Sequence, residues 1–358
     1  MTYRAGIVGT GGVAGMGILG MHDEEKIGEE KVETSHAGGY DAAEGVELVA
    51  VADVDREKLD RFGDVWNVPE EHRYLGHEAM LEAEDLDVVS VCTPTYLHAD
   101  HVVDAAELAD PGVIWAEKPI ASAVADGERA VEACEENGVD LVINHSSRFE
   151  PEYQALREEV QGGLLGEVKS VNAGFRMELM RNSTHLLDML VYLLDARAER
   201  VAGYITGENE AAEALGATVE LDDAGGGGFL VTDDGAFVTV DCTLPRDIST
   251  MYYHLVGTEG KLYVNPMDDE WRFWALTDDG HEERALDLPS EGHRASNFQR
   301  AAAHVVDLLD GDAENVSPGR EALRSLEIIV AFYVSEYTGG QVDVPLEEPL
   351  RDVTITSW

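Results

Sequence analysis

Short apolar runs alternate with helix-like segments over the first 145 residues of the chain. The apolar runs, each short enough for a buried strand, cover residues 4–9, 46–53, 87–93, 113–117 and 141–144. The helix-like segments begin near Val13 and then cover 54–62, 98–108 and 122–137. Strands that alternate with helices of this length predict an α/β fold with a parallel, doubly wound sheet of the Rossmann type.

The pattern changes after residue 145. A helix-like segment over 151–161 and an alternating strand over 168–177 precede an apolar helix at 185–194. Further strand-like segments cover 201–206, 216–221, 228–232, 236–243, 252–257 and 261–264, and helix-like segments cover 297–309 and 320–336. A run of strands with helices to one side predicts an α+β domain built on a large, mostly antiparallel sheet. We therefore expect two domains, over residues 1–145 and 146–358.

The charge of the chain is strongly negative, with 72 Asp and Glu against 25 Lys and Arg and a net charge of −47. The acids are spread over the whole chain, which argues against a disordered acidic tail. A field of this sign repels nucleic acid and anionic membranes, so neither is expected as a partner. Because dissolved salt screens such repulsion, the composition is typical of a high-salt cytoplasm and resembles that of haloarchaeal proteins.

No segment of the sequence suggests export, a membrane or a metal. No apolar run is long enough to cross a bilayer, and the first residues enter a strand without the basic and apolar regions of a signal peptide. We therefore expect a cytoplasmic protein. Cys92, Cys134 and Cys242 are odd in number and far apart, which favours free, buried thiols. No metal-ligand spacing links them or the scattered His22, His36, His72 and His77.

A glycine-rich turn joins the first predicted strand to the first predicted helix. Residues Gly9 to Ala14 match the pattern G-x-G-x-x-A. Gly9 allows a tight turn, Gly11 allows a pyrophosphate to approach the backbone, and Ala14 allows close packing of helix on strand. Gly12 and Val13 begin the helix, whose free N–H groups and positive dipole end favour phosphate. The order of strand, turn and helix predicts binding of a dinucleotide such as NAD.

An acidic residue ends the second predicted strand. Asp53 is followed by Val54, and a carboxylate at this point is suited to hydrogen bonds with the hydroxyls of an adenosine ribose. Asp53 comes 39 residues after Ala14, against about 20 in the usual pattern, and we interpret the excess over 21–45 as a lengthened helix and loop. The acid disfavours a 2′-phosphate and so favours NAD, whereas Arg56 keeps NADP possible. The alternative is that Asp53 is only a turn residue at the strand end.

Several motifs in order along the chain resemble those of one oxidoreductase family. They are Glu117-Lys118-Pro119 after the fourth strand, the segment 92–98 (Cys-Thr-Pro-Thr-Tyr-Leu-His), Arg148-Phe149-Glu150-Pro151 and Thr184-His185-Leu186-Leu187-Asp188. Together with the glycine turn they resemble the Gfo/Idh/MocA oxidoreductases, and the resemblance covers nearly the whole chain. It implies a sugar or polyol substrate and a homodimer or homotetramer paired through the C-terminal sheet. It also implies NAD(P) contacts at Thr93, Pro94, Thr95, His98, Glu117, Lys118 and Arg148.

The resemblance further implies that Lys118 and His185 are catalytic residues that also bind the substrate. Lys118 follows a parallel strand, at the edge where ligands bind in such sheets, and its ammonium can polarise the substrate oxygen or relay its proton. The bond to Pro119 after it is compatible with either a cis or a trans form. A histidine has an unperturbed pKa of about 6.5, which suits His185 to take the hydroxyl proton. Asp188 lies three residues on, on the same helix face, and is expected to orient the imidazole or to form a hydrogen bond with the substrate. The alternatives are a surface lysine and a histidine that only packs at the start of its helix.

One position departs from the family pattern. Many members carry an acid four residues before this histidine, where this chain has Arg181 followed by Asn182. We expect both to lie among the substrate-binding residues, and Arg181 can hold a carboxylate or phosphate of the substrate by paired hydrogen bonds.

The expected function is an NAD(P)-dependent dehydrogenase that acts on a hydroxyl of a sugar, a polyol or a sugar derivative. One alternative is an enzyme that keeps its cofactor bound and recycles it between two sugar substrates. Another is a regulator that binds the dinucleotide without catalysis, against which Lys118 and His185 together argue.

Overall fold

The chain divides into two compact units. The computed structural model describes residues 2–18, 27–206, 220–245, 247–248, 250–289 and 296–357. The first unit comprises Met1–Ala121, Asp126–Glu150 and Glu291–Arg320, and the second comprises Ser122–Ala125, Pro151–Ser290 and Glu321–Trp358. Among the described residues, no helix is long and apolar enough to cross a membrane.

In the described part of the first unit, six parallel strands form one sheet. In chain order they are β1 (Tyr3–Val8), β2 (Val46–Ala52), β3 (Arg73–Tyr74), β4 (Val88–Val91), β5 (Val113–Ala116) and β6 (Asp140–Ile143). Their spatial order is β3-β2-β1-β4-β5-β6, and every neighbouring pair is parallel. β4 and β5 are buried at every position, as expected for strands covered on both faces. The predicted Rossmann sheet is confirmed.

The described chain contains two helices that the sequence did not predict, His36–Ala42, close to the glycine turn, and His77–Ala83. In order, the helices of the described chain are α1 (His36–Ala42), α2 (Arg56–Trp66), α3 (His77–Ala83), α4 (His98–Leu108), α5 (Val124–Asn137), α6 (Pro151–Gln161), α7 (Thr184–Leu194), α8 (Asn297–Asp310) and α9 (Gly319–Thr338). The short α1 begins where the Ser35 side chain accepts a hydrogen bond from the Gly38 N–H. A Cβ at Gly39 would lie 2.6 Å from the Phe298 carbonyl oxygen, so glycine lets α1 approach α8.

The described second unit contains a mixed sheet of nine strands. The strands of this unit are β7 (Val168–Arg176), β8 (Ala198–Ile205), β9 (Glu220–Asp222), β10 (Gly226–Thr232), β11 (Phe237–Leu244), β12 (Tyr252–Gly257), β13 (Gly260–Asn265), β14 (Glu270–Thr277), β15 (Gly280–Arg284), β16 (Val342–Asp343) and β17 (Thr354–Thr356). The large sheet has the order β15-β14-β13-β12-β7-β11-β10-β8-β16, in which β7 and β11 are parallel and the other neighbours antiparallel. β17 and β9 form a separate parallel pair. The predicted large, mostly antiparallel sheet is confirmed.

The helix predicted from Val13 is wrong in length. The structure has only one helical turn there, Gly12–Met16, and Gly17 after it has a φ of +90°. Three glycines within six residues weaken helix formation, because each loses more backbone entropy than other residues do. The sequence also did not predict the strands β3, β14, β15, β16 and β17. Residues 19–26 of the connection, including His22, and 216–219 of a predicted strand lie outside the described residues.

The first unit also contains a late part of the chain, which the predicted boundary at 145/146 does not provide for. Residues 291–320 belong to this unit, and α8 lies within them. The apolar face of α8, with Ala301, Ala302 and Val305, is buried in the same hydrophobic cluster as Ala5 and Ile7 of β1. Sequence order alone assigns α8 to the second domain, whereas burial of its apolar face places it with the first sheet.

The three cysteines are free and buried, as predicted. Burial raises the pKa of Cys134 and of Cys242 to about 12. Thiols with such pKa values are protonated near neutrality and act as small apolar side chains.

Candidate active site

The glycine turn of the first unit lies against the end of β4. Gly9 has a φ of +89°, in the left-handed region that favours glycine. A Cβ there would lie 2.9 Å from Thr93 Cγ2 and 3.0 Å from the Cys92 backbone. At Gly11, in contrast, an added Cβ would have no heavy atom within 4 Å, so its backbone borders open space. The turn therefore fits a dinucleotide, whose pyrophosphate needs exposed backbone at this position.

Asp53 fastens the glycine turn to the end of β2. Its Oδ2 accepts hydrogen bonds from the Thr10 N–H and the Thr10 hydroxyl, both at 2.8 Å. Its Oδ1 accepts one from the Asp55 N–H at 2.9 Å. The sequence left two roles open for Asp53, a ribose-binding residue and a turn residue. These hydrogen bonds give the second role a structural basis. The side chain is only half-buried, and contact with a ribose stays a prediction.

The residues after Asp53 are exposed. Val54 is 88% exposed, and its apolar side chain is accessible to the flat face of a base. The Arg56 guanidinium lies 3.5 Å from the Asp60 carboxylate, one turn further along α2. A cation therefore stands close to the strand end where a 2′-phosphate would bind.

The helical turn Gly12–Met16 packs on α2 through Gly15. Trp66 Nε1 donates a hydrogen bond to the Gly15 carbonyl oxygen at 3.1 Å. A Cβ at Gly15 would lie 2.4 Å from the same Nε1 and 2.8 Å from Phe62. The sequence assigned close packing to Ala14, which is buried, while Gly12 and Val13 are half-buried. The sequence did not mark Gly15, because its contact with the Trp66 indole on α2, which distinguishes it from the neighbouring glycines, is seen only in the structure.

His98 joins the end of β4 to the turn after β5. Its Nδ1 lies 2.7 Å from the Pro119 carbonyl oxygen, and its Nε2 lies 2.8 Å from the Thr93 carbonyl oxygen. Burial lowers the pKa of His98, while the two carbonyl groups, which only accept hydrogen bonds, favour the protonated ring. The bond between Lys118 and Pro119 is cis. His98 thus positions the backbone on both sides of the predicted site.

The residues between Thr93 and His98 form one helical turn. Pro94 precedes it, and the turn covers Thr95–Leu97, with Thr95 buried. The Thr93 hydroxyl lies 3.0 Å from His101 Nδ1 on α4. Buried Thr95 and the fixed Thr93 line the end of β4, and their contact with a dinucleotide stays a prediction.

Glu117 is a buried carboxylate at the end of β5, with 7% of its surface exposed. Its Oε1 accepts a hydrogen bond from Asn144 Nδ2 at 2.6 Å and lies 3.1 Å from His36 Nε2. Burial alone would raise the pKa of Glu117, but the His36 hydrogen bond and the charges of His36 and Lys118 lower it to about 2. Glu117 is therefore ionised near neutrality, directly before the half-buried Lys118.

Sequence reasoning missed the buried polar residues that surround Glu117. His36 Nδ1 lies 2.9 Å from Ser90 Oγ, and the Tyr40 hydroxyl lies 2.6 Å from the same oxygen. Asn144 follows β6 and is also buried. The only sequence signal is the spacing of four between His36 and Tyr40, which places them on one helix face. Two glycines between them hid the helix.

Arg148 lies inside the first unit. Its side chain is 0% exposed and donates a hydrogen bond from Nη1 to the Val316 carbonyl oxygen at 3.1 Å. At this position Arg148 stabilises the interior of the first unit. The predicted contact of Arg148 with a dinucleotide stays a prediction. Neighbouring His145 is buried too, and burial together with the charges of Arg148 and Lys118 lowers its pKa well below the ordinary value.

In the second unit, His185 lies in the first turn of α7. His185 is half-buried, whereas Asp188, three residues on, is 1% exposed. Because Asp188 is enclosed, its position suits orientation of a neighbouring group better than direct substrate contact. His185 is the more accessible of the two for proton transfer.

The turn before α7 is anchored by Asp223, another residue that the sequence did not mark. Its carboxylate accepts hydrogen bonds from the Met180 and Arg181 N–H groups, each at 2.9 Å. The Asn182 side-chain amide donates to Glu178 Oε2, also at 2.9 Å. The Asn182 amide is therefore engaged within the turn, and Arg181 is half-buried beside it.

One cluster in the first unit has metal-ligand character, although the sequence suggested none. Ligand-type atoms of His77, Glu78 and Asp104 lie within 4.8 Å of one another. His77 Nε2 and Asp104 Oδ2 are 2.7 Å apart and already form a pair, and Glu78 is exposed. We assign no metal to this cluster.

Each unit thus brings together a part of the predicted site. At the carboxyl edge of the first sheet lie the glycine turn and the ends of β2, β4 and β5. This part can hold a dinucleotide and presents an ammonium beside an ionised carboxylate. In the second unit, α7 and the turn before it carry an imidazole and a guanidinium. These groups can move a proton and bind an oxygen-rich substrate.

Comparison with protein families gives two matches. The model described as "Oxidoreductase family, NAD-binding Rossmann fold" matches residues 3–145. The model described as "Oxidoreductase family, C-terminal alpha/beta domain" matches residues 174–344. Both are models of the GFO_IDH_MocA group, and together they cover most of the chain.

Curated relatives match over nearly their whole length. D-apiose dehydrogenase of Paraburkholderia graminis is 27% identical over 350 residues, which cover 90% of each chain. D-xylose 1-dehydrogenase [NADP(+)] of Haloarcula marismortui is 24% identical over 333 residues, covering 84% of this chain and 87% of its own. A second D-xylose 1-dehydrogenase (NADP(+)), from Haloferax volcanii, is 28% identical over 313 residues, covering 83% and 92%.

Solved structures share the fold. The WlbA dehydrogenase of Bordetella pertussis, in complex with NADH and UDP-GlcNAcA, has a TM-score of 0.73 at 21% identity and covers 97% of this chain and 100% of its own. The aldose-aldose oxidoreductase of Caulobacter crescentus, complexed with glycerol, has the same TM-score and identity, covering 96% and 100%.

Proposed function

The chain belongs to the Gfo/Idh/MocA family of oxidoreductases, and from this premise we propose that it transfers a hydride between a nicotinamide dinucleotide and a hydroxyl-bearing carbon of a sugar, polyol or sugar derivative. Curated relatives are named as dehydrogenases of D-apiose and D-xylose. The observation that carries the proposal is the ionised, buried Glu117 beside Lys118 at the carboxyl end of β5, in the same sheet as the glycine turn.

Lys118 and His185 handle the proton in this proposal. When bound, the nicotinamide ring accepts the hydride from the substrate carbon during oxidation. The Lys118 ammonium donates a hydrogen bond to the substrate oxygen, and ionised Glu117 stabilises that ammonium. His185 takes the proton that leaves the hydroxyl, with Asp188 as its neighbour on α7. In the direction of reduction, His185 returns the proton to the oxygen.

We favour NAD over NADP as the cofactor. The Asp53 carboxylate at the end of β2 disfavours a 2′-phosphate, and its two bonds to Thr10 keep it in place. Arg56 beside it supports some use of NADP. Dissociation constants of NAD and NADP, measured by fluorescence quenching, test this preference. Arg56→Ala should weaken NADP binding and leave NAD binding unchanged; tighter NADP binding by the unchanged protein would refute the preference.

Arg181 marks the substrate as an anionic sugar derivative. A guanidinium at the turn before α7 suits a carboxylate or phosphate, because it can donate two parallel hydrogen bonds. Asp223 fixes the backbone of this residue, which limits the space that the side chain can reach. Aldonates, uronates and sugar phosphates are therefore the first substrates to test.

The proposal also includes a halophilic character, a cytoplasmic location and a homo-oligomeric state. The charge of −47 favours a halophilic protein of a high-salt cytoplasm, so we expect the unfolding temperature to rise steeply between low and molar KCl. The large sheet carries Lys261 and Arg272 over Trp274, an aromatic and cationic face in a chain that is otherwise acidic. Such a face supports a homodimer or homotetramer, which light scattering in molar salt will test.

The deciding experiment follows absorbance at 340 nm in molar KCl with NAD or NADP and a panel of neutral and anionic sugars. Turnover with at least one sugar is expected. Cofactor binding without turnover of any substrate would overturn the enzymatic proposal and favour the regulator. Dinucleotide released only after denaturation would indicate the cofactor-retaining alternative.

A further inference from the structure

The connection between the glycine turn and β2 is longer than this fold requires, and it contains α1. His36 and Tyr40 lie four residues apart on α1, so their side chains share a face. Both are buried in the first unit. A buried histidine and a buried tyrosine on a short, glycine-rich helix need a reason beyond packing, because each polar atom must find a partner.

The polar atoms form a chain that ends on Glu117. The distances are 2.6 Å from the Tyr40 hydroxyl to Ser90 Oγ, 2.9 Å from Ser90 Oγ to His36 Nδ1, and 3.1 Å from His36 Nε2 to Glu117 Oε1. An ionised carboxylate only accepts hydrogen bonds, so His36 Nε2 carries the hydrogen and donates it. Ser90 Oγ bridges His36 Nδ1 and the Tyr40 hydroxyl. The ionised carboxylate thus fixes the direction of the bond from Nε2 to Glu117.

Aromatic rings hold the imidazole in this orientation. The His36 ring centroid lies 3.8 Å from that of Trp115 on β5 and 5.5 Å from that of Phe298 on α8. All of these residues belong to the first unit. The imidazole cannot rotate away from Glu117 without displacing fully buried Trp115.

The surroundings of Glu117 contain several titratable or charged groups. His36 on α1 and Lys118 after β5 lower its pKa, and Asn144 after β6 donates to it. The charge of Glu117 in turn acts to raise the pKa of Cys92 after β4, of His98 on α4 and of His145 after β6. Burial lowers the pKa of the last two, which favours their neutral forms. His36 therefore supplies the largest hydrogen-bonding and charge effect that keeps this buried carboxylate ionised.

We infer that His36 is a positioning residue of the active site, which holds Glu117 ionised and fixed beside Lys118, and that the long connection serves to deliver it. This inference rests on the proposed role of Lys118 in proton handling. Loss of the His36 donor lets Glu117 take up a proton in the working pH range. Lys118 then loses the negative charge that stabilises its ammonium.

Two amide substitutions distinguish the hydrogen bond made by Nδ1 of the imidazole from the one made by Nε2. In His36→Gln, the side-chain amide can occupy the place of Nε2 and still donate to Glu117. In His36→Asn, the shorter amide can occupy the place of Nδ1, next to Ser90, and cannot reach Glu117. Both variants place a neutral amide at the same buried position, so a general packing defect affects them alike.

The expected readout is the pH profile of kcat. In His36→Asn, the acid limb moves to higher pH by about one unit and steepens, because a further group, Glu117, then binds a proton in the working pH range; kcat at pH 6 falls about tenfold relative to pH 9. In His36→Gln, the acid limb stays near that of the unchanged protein. Dissociation constants for the dinucleotide, measured by fluorescence quenching, should remain within about twofold in both variants, since neither removes a backbone contact of the glycine turn.

His72→Ala is the matched control. His72 Nδ1 contacts Glu84 Oε1, another histidine–glutamate pair in the first unit. Its loss should leave the acid limb in place, because Glu84 does not adjoin Lys118 in the chain.

Superimposable profiles for His36→Asn and the unchanged protein refute the inference. If His36→Asn does not fold, Ser90→Ala decides, since it removes the partner of Nδ1. An acid limb shifted upward by less than one pH unit is then expected, and an unshifted limb refutes the inference. Failure of the proposed function is recognised separately, as a lack of turnover by the unchanged protein.

Discussion

Replacing Glu117 with glutamine removes one buried negative charge and keeps the shape of the side chain. The amide oxygen can still accept from Asn144 and His36, so packing and hydrogen bonding change little. What disappears is the dependence of stability on the ionisation of this group. The folded protein holds the pKa of Glu117 at about 2, against an ordinary value of 4.5. At about 1.4 kcal/mol for each pKa unit, the difference corresponds to about 3 kcal/mol of folding stability.

The direction of the effect follows from the lowered pKa. A carboxylate whose pKa is lower in the folded state stabilises the protein at pH values above the unfolded-state pKa. This stability is fully present above about pH 5 and is lost progressively as the pH falls from about 4.5 to 2. The unchanged protein and Glu117→Gln should therefore differ in the pH dependence of their unfolding free energies.

The assay is unfolding by denaturant in molar KCl at a series of pH values from 7 to 3, for both proteins. The other carboxylates contribute equally to both, so the difference between the two unfolding free energies isolates Glu117. That difference should change by about 2 kcal/mol or more in favour of the variant as the pH falls from 6 to 3. A difference that stays constant over this range would show that the fold does not hold Glu117 ionised, and the reasoning about Lys118 would fail with it.

Three other substitutions test the site. Lys118→Met should lower kcat by about 10²- to 10⁴-fold, the usual contribution of a positioned acid or base, with little change in dinucleotide affinity; a kcat within twofold of the unchanged protein would remove Lys118 from the mechanism. Arg181→Ala should raise the KM for an anionic sugar about tenfold or more and leave that for a neutral sugar unchanged, and an unchanged KM for every active substrate contradicts the anion-binding role. Gly15→Ala should destabilise the first unit by about 1–3 kcal/mol in thermal unfolding, because its Cβ would lie 2.4 Å from Trp66 Nε1. Gly11→Ala, where the added Cβ has open space, is the control and should weaken only dinucleotide binding.

The elements with strong local signals were predictable from the sequence. α4 was predicted over 98–108 and begins and ends there, since Pro94 precedes it and its apolar residues recur at helical spacing. α7 is apolar along almost its whole length and differs from its prediction by one residue. The five predicted strands of the first sheet begin and end within about two residues of prediction, because each is a short apolar run followed by a turn, whereas the two-residue β3 was not predicted.

The parts that failed depend on contacts between distant segments. α1 contains two glycines in seven residues, so its sequence does not favour a helix; the Ser35 cap and the close approach to α8 stabilise it. His36 therefore could not be assigned to the site, since neither its helix nor its partner on β5 was visible in the local pattern. The division of the chain was incomplete for the same reason, because α8 rejoins the first unit through burial of its apolar face.

The bonds between Asp53 and Thr10 have a consequence for protein engineering. A designer who wishes to convert such an enzyme to NADP would first replace the acid at the end of β2. Here the same carboxylate accepts two hydrogen bonds from the glycine turn. In the proposed function, cofactor preference and the rigidity of the glycine turn are therefore linked in one side chain. A redesign would have to add a new acceptor for Thr10 together with the new cation, or the gain in NADP recognition would be offset by a loosened turn.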